Sequence, residues 1–213
     1  CIHYNKAQID QILEQFQENG IENILALRGD RVEGLTPTTD FDHAADLIRY
    51  IRSKTGSFDI AGACYPECHP EAPNMDTDIR HLKEKVDAGA SHLITQLFFD
   101  NDSFYDFRYR AARAGVNVPI EAGIMPVTNR KQIERMVTMC GASLPRKFTK
   151  MVQRFEDNPD ALRDAGIAYA IDQIVDLVTD GVDGIHLYTM NNPYVARKIS
   201  EAVGGIIKAA TTC

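Results

Sequence analysis

The sequence predicts an α/β fold built on a parallel sheet, and three observations carry that prediction. Short apolar runs alternate with amphipathic segments of helical period along the whole chain. The first run, Ile24 to Leu27, is apolar without alternation, the pattern of a strand covered on both faces. Each run also ends, on its C-terminal side, in polar or turn residues: Arg28-Gly29-Asp30, Tyr65-Pro66-Glu67, Gln96, Met125-Pro126 and Thr189-Met190-Asn191. A doubly wound sheet would place a glycine-rich turn straight after a strand, and no Gly-x-Gly-x-x-Gly occurs. A TIM-type (β/α)8 barrel, which builds its site from side chains at strand ends, fits better. Only five strand–helix units are legible where eight close such a barrel, so the expectation is an N-terminally truncated barrel, residues 1–213 forming one domain, with the remaining strands before Cys1. The opening Cys1-Ile2-His3-Tyr4-Asn5 offers no methionine and no evident helix cap, as in a chain cut just past a strand. Such a fragment is expected to be unstable or aggregated by itself, because an unclosed barrel exposes two strand edges.

The first helix is signalled by Ile9, Ile12, Leu13 and Phe16 and stops at Gly20. Strand Ile24 to Leu27 follows, then a Gly/Thr/Pro-rich loop from Arg31 to Asp40. A second helix carries Ala44, Leu47, Ile48 and Ile51 on one face and ends near Gly56. Phe58 to Cys64 is a strand running into YPECHPEAPN, whose three prolines exclude regular structure. Asp76 is placed to cap a helix with Ile79, Leu82 and Val86 inward. The unit then repeats: His92 to Phe99 as strand, Ser103 to Ala114 as helix, Val118 to Ile124 as strand, and a helix with Ile133, Met136, Val137 and Cys140 inward. Two helices are expected between Pro145 and Asp180, the longer with Ile167, Ile171, Ile174 and Val178 on a stripe. Gly184 to Tyr188 is the last strand, and Pro193 opens the closing helix.

Composition bounds the function. The chain has 213 residues, 44% of them hydrophobic, enough for a sizeable core. Its apolar runs fall well short of the roughly 20 residues that span a bilayer. A net charge of −7 disfavours nonspecific nucleic-acid binding, so an anionic ligand needs a local group of donors. Five cysteines cannot all pair and lack the density of a secreted scaffold. A reduced cytoplasmic protein is expected, with neither membrane nor nucleic acid as partner.

Asp30, one residue after a glycine that lets a ligand approach the backbone, is able to steady a developing cation, or to serve as an ordinary turn aspartate. Arg28 is an anion partner for a ligand, or for Asp30 or Glu33. Cys64, Glu67, Cys68 and His69 include all the usual zinc donor types, but their spacing suits no metal site, and none is expected. Tyr65 and His69 suit an aromatic or ribose-bearing ligand instead. Asp78, His81 and Lys85 share a helix face distinct from the apolar one, which reads either as a solvated surface or as a stripe holding a pyrophosphate or adenosine. Gln96 either bonds within the core or reads the edge of a heterocycle or carboxamide. Asn129-x-x-Gln132 reads as a capping box, and His186 as a core histidine.

At LRGD, YPE-x-HPEA, ITQLFFD, GIMPV and LYTMN, in that order and spacing, the chain resembles the methylenetetrahydrofolate reductases. The resemblance covers essentially all 213 residues and implies an eight-stranded α/β barrel with FAD at its C-terminal mouth. It implies reduction of 5,10-methylenetetrahydrofolate to 5-methyltetrahydrofolate, the step of one-carbon metabolism that leads to methionine. NADH or NADPH reduces the flavin and leaves before the folate binds. By the same resemblance Arg28, Gly29, Asp30, His43, Ala44, Tyr65, His69, Asp78, His81 and Lys85 line the FAD site. His43 stands where some relatives have tyrosine. Asp30 would lie near flavin and pterin and support the 5-iminium cation of the opened substrate. Gln96 would bond the pterin or the nicotinamide carboxamide, and Gln132 would help position either. Homo-oligomers are common in the family. Three departures stand out. The first-strand glutamate that serves the family as general acid has no counterpart in the 213 residues. Asn191-Asn192-Pro193 replaces an Asn-Arg after the last strand. Glu84 stands at a position basic in some members. The competing expectations are a non-catalytic ligand-binding barrel and, last, a metal-dependent hydrolase using Glu67, His69 and a cysteine.

Overall fold

The computed structural model describes residues 1–211 except 32, 33, 35, 39, 130, 134, 135 and 137–139. Among these, helices α1 (Lys6–Glu18), α2 (Ala44–Lys54), α3 (Met75–Asp87), α4 (Asn101–Arg113), α5 (Arg146–Phe155), α6 (Pro159–Thr179) and α7 (Pro193–Ala210) are interleaved with strands β1 (Asn23–Ala26), β2 (Asp59–Cys64), β3 (His92–Thr95), β4 (Ile120–Ile124) and β5 (Gly184–Leu187). The described residues of 131–140 are also helical; Val137, expected to face inward there, lies outside the described residues.

The strands pair in chain order, β1-β2-β3-β4-β5, and every pair is parallel. Each crossover therefore adds its strand to the same edge, the winding of a barrel wall; a doubly wound sheet reverses direction partway. Five strands do not close. One face is packed by helices, in a core that joins Leu93, Ile120, Ala122 and Ile124 of the sheet to Ile79, Phe104, Ile174 and Ile199 of the helices. A second cluster joins α1 and α2 to Ala26 and Ile60.

The other face is less completely covered, and for β1 the expectation of a strand covered on both faces is corrected. β1 alternates, with Ala26 buried but Leu25 and Leu27 44% and 45% exposed. Along β3, half-buried His92 and Ile94 alternate with buried Leu93 and Thr95. His186 is likewise no core histidine; it lies half-exposed, Nδ1 3.8 Å from Glu121 Oε2.

Local chemistry sets the helix ends. α1 does have a cap, contrary to expectation: Asn5 Oδ1 accepts from Gln8 N and Gln8 Oε1 from Asn5 N, both at 2.9 Å. Asn74, rather than Asp76, caps α3, accepting from Thr77 N at 2.9 Å; Asp76 lies in the first turn, where its charge still favours the helix dipole. On α2 the inward small residue is Ala45, which releases Ala44 from the core face. No described helix is long and apolar enough to cross a membrane.

Candidate functional site

A cleft of about 370 Å³ opens at the C-terminal ends of β1, β2 and β3 and is bounded laterally by α2 and α3. Its lining includes Arg28, Gly29, Asp30, His43, Ala44, Tyr65, His69, Asp78, His81, Lys85 and Gln96, residues drawn from three strand ends and two helices. Gln132 is absent from this lining. Its N–H donates to Asn129 Oδ1 at 2.9 Å, the cap its spacing suggested, but its Oε1 accepts from Thr128 N at 3.0 Å rather than from Asn129 N, so the reciprocal bond of the box falls one residue earlier.

Gly29 has φ 83°, a left-handed conformation that a side chain would strain, and it turns the chain out of β1 so that Asp30 reaches the mouth exposed. Arg28 makes no ion pair with Asp30, and Glu33 lies outside the described residues. It grips Glu71 through two parallel hydrogen bonds, Nη1 to Oε2 at 2.5 Å and Nη2 to Oε1 at 2.7 Å. That bond pulls the Glu71 carboxyl down to about 2 and straps the loop after β2 to the end of β1.

The loop after β2 is fixed from α3 as well. Asp78, buried on the first turns of α3, accepts the His69 backbone N–H at 2.8 Å. The His69 ring takes a hydrogen bond from Glu71 N onto Nδ1 at 3.0 Å, and burial lowers its pKa. A neutral ring that accepts at Nδ1 carries its proton at Nε2, so His69 is a donor there. Tyr65 meets this ring edge-on, centroids 4.5 Å apart, and burial pushes its phenol up to about 12. It too remains protonated at neutral pH.

Lys85 donates to the Ala63 carbonyl at 2.6 Å, and burial lowers its pKa. No carboxylate lies in ion-pair range of it among the described residues. It is thus the cleft cation most in want of an anion, whereas Arg28 already has one. His43 and His81 face each other across the mouth, ring centroids 6.4 Å apart. The donors, the aromatic rings and the unpaired ammonium together suit a ligand that is planar, rich in acceptors and anionic.

Cys64 is fully buried on the helix side, its thiol pushed up to about 12 by desolvation, and packs with Ile79 and Leu82. Among the described residues no group of three or more His, Cys, Asp or Glu is set to hold a metal ion. Two lining acids were missed by sequence reasoning. Glu84 lines the cleft although the sequence singles it out only as a departure from the family, and Glu71, though it lies within HPEA, carries no sign of its partner, since nothing in spacing links it to Arg28, 43 residues away.

Fold and cleft define a barrel-type α/β protein with a cleft at the C-terminal ends of its strands. Comparison with known proteins makes this specific. The family model described as Methylenetetrahydrofolate reductase matches residues 1–204. The chain is 38% identical over 205 residues to 5,10-methylenetetrahydrofolate reductase of Pectobacterium carotovorum subsp. carotovorum, covering 96% of this chain and 67% of that protein. It is 36% identical to the protein of that name from Escherichia coli, over 96% of this chain and 68% of the relative. Against Methylenetetrahydrofolate reductase (NADH) 1 of Arabidopsis thaliana the identity is also 38%, over 90% of this chain but 35% of the plant protein. An uncharacterized protein from Clostridium thermocellum, described as binding two copies of 5-methyl-5,6,7,8-tetrahydrofolic acid, shares the fold with TM-score 0.60 at 16% identity, over 95% of this chain and 69% of that one. The chain belongs to the methylenetetrahydrofolate reductase family.

Proposed function

We propose that this chain is the cofactor- and folate-binding wall of a flavoprotein that reduces 5,10-methylenetetrahydrofolate to 5-methyltetrahydrofolate, taking electrons from NADH or NADPH through bound FAD in a ping-pong sequence. One observation carries the proposal: the ten residues that family resemblance assigns to FAD, with Gln96, line a single cleft. The donor set fits the group. Lys85 and the Nε2–H of His69 supply charge and donors for a diphosphate, and Tyr65, His43 and His81 supply rings for the flat parts. FAD, when bound, supplies the hydride chemistry.

The residues of the chain itself then orient and tune. Asp30, exposed at the mouth beside the paired Arg28, offers a carboxylate to a positive charge developing on the folate. Gln96 reaches the same cleft from the next strand but one. Gln132 belongs to the substrate set only if the loop after β4 brings it over. Under this reading residues 1–213 are one barrel domain, cytoplasmic and able to associate with copies of itself. The plant relatives carry NADH in their names, which favours NADH as donor.

The test is a titration of the protein, in its natural full chain, with FAD. The expected result is a flavin absorbance band that NADH bleaches without oxygen and that 5,10-methylenetetrahydrofolate restores. A chain that binds no FAD would overturn the proposal. One that binds FAD yet is never bleached would be the non-catalytic barrel.

A further inference from the structure

The β3–β4 ladder stops one residue short of the cleft, and the way it stops is specific. The last paired residues are Ile94 and Glu121. Continuing the parallel pattern would send the Gly123 N–H to the Thr95 carbonyl. It goes instead to the Thr95 side chain, Gly123 N to Oγ1 at 2.8 Å, in a fully buried position. The carbonyl so released accepts the phenolic O–H of Tyr188 at 2.8 Å. Tyr188 follows β5, and its ring crosses over β4 to reach β3. Only glycine at 123 leaves room for this, because a Cβ there would lie 2.7 Å from Tyr188 Cε2 and would overlap the Thr95 carbonyl oxygen.

On its other side β3 does not part. Gln96 N donates to the Cys64 carbonyl at 2.7 Å, so pairing with β2 continues past the point where pairing with β4 ends. Gln96 is the first residue beyond that fork. Its Oε1 accepts the Leu97 N–H at 3.0 Å. A backbone N–H only donates, which fixes the oxygen on that side and leaves the Nε2 donors, unbonded among the described residues, for the cleft that Gln96 lines.

We infer that Tyr188 is a positioning residue for Gln96. By occupying the Thr95 carbonyl, its hydroxyl keeps that oxygen from taking the Gly123 N–H, ends the β3–β4 ladder at Ile94 and presents the Gln96 carboxamide to the cleft as a donor to an acceptor atom of the ligand. The inference rests on the folate-reductase reading for the identity of that ligand, and on geometry alone for the positioning.

Two measurements on the full natural chain separate these. The first needs no ligand: the side-chain carboxamide signals of Gln96 in an 15N–1H spectrum, assigned by their loss in Gln96→Leu. Tyr188→Phe is expected to shift or broaden them, and Thr95→Val, which keeps the shape and removes the hydroxyl that Gly123 uses, is expected to move the same signals should Tyr188→Phe fold poorly. Unchanged signals in a folded variant overturn the positioning. The second is titration of FAD-loaded protein with 5-methyltetrahydrofolate. Loss of one neutral hydrogen bond in Tyr188→Phe should weaken binding about three- to tenfold, with FAD affinity changed less than about twofold. In a Gln96→Ala background the same substitution should add nothing. An equal loss with and without Gln96 would make Tyr188 merely structural. A wild-type protein that ignores 5-methyltetrahydrofolate would sink the functional reading, and the carboxamide signals would still decide the positioning.

Discussion

On the helix-covered face of the sheet Leu93 is fully buried, whereas on the open face Leu25 and Leu27 leave nearly half their surface free. The three leucines are chemically alike and lie on neighbouring parts of one sheet. What differs is whether a helix lies over them. The covered face holds the fold together, and the open face with its upper rim carries the polar groups that line the cleft. Stability and ligand chemistry are thus divided between the two sides, and the difference predicts how substitutions on each should behave.

The sharpest contrast is Leu93→Ala against Leu25→Ala. Emptying the Leu93 site should cost about 2–5 kcal/mol, while the Leu25 change should cost less than about 1 kcal/mol, read as denaturation midpoints in urea. Equal costs would mean that the open face is covered in solution. Gly166 on α6 probes the covered side differently. A Cβ there would overlap the Val127 carbonyl, so Gly166→Ala should destabilise by about 1–3 kcal/mol and disturb the loop after β4.

On the cleft side, Lys85→Met should lower FAD affinity about tenfold or more, in a fluorescence titration, because a charge-assisted contact is lost. Its melting temperature should stay level or rise, since a buried ammonium has been replaced by an apolar chain. A fall in both would place Lys85 among the structural groups.

The smallest effect belongs to the Arg28–Glu71 strap. The Glu71 carboxyl titrates at about 2 in the fold against its ordinary 4.5, so its contribution to stability is present above about pH 4.5 and is lost as pH falls toward 2. The pair is half-exposed on the Glu71 side, which limits that contribution to less than about 1 kcal/mol. Glu71→Gln should remove this part of the acid dependence when urea midpoints at pH 7 and pH 3 are compared. An unchanged difference between the two pH values would show that the strap adds nothing.

Much of the site was legible because the positions that form it are strand ends and one helix face. An apolar run that stops at Arg28-Gly29-Asp30 declares where its strand ends, and the spacing of Asp78, His81 and Lys85 declares that they share a face. The Arg28–Glu71 pair was illegible for the opposite reason. A strap between two loops has no period, and its partners are set by how the loops fold over each other. The caps at Asn5 and Asn74 were misjudged because several polar residues near each helix start are able to cap, and backbone conformation selects among them. Leu25 and Leu27 read as covered in the sequence because an apolar run says that a side chain avoids water, not whether the molecule supplies a cover.

The sequence by itself determined the order of strands and helices, the parallel barrel winding and most of the groups at the mouth, because these follow from local periodicity and from where apolar runs end. Only the tertiary structure decided that Arg28 is already paired while Lys85 has no carboxylate in ion-pair range among the described residues, that Leu25 and Leu27 stand exposed, and that Tyr188 reaches across β4 to take the Thr95 carbonyl. Each of those depends on distances between residues tens of positions apart, and such distances are fixed by packing rather than by any pattern along the chain.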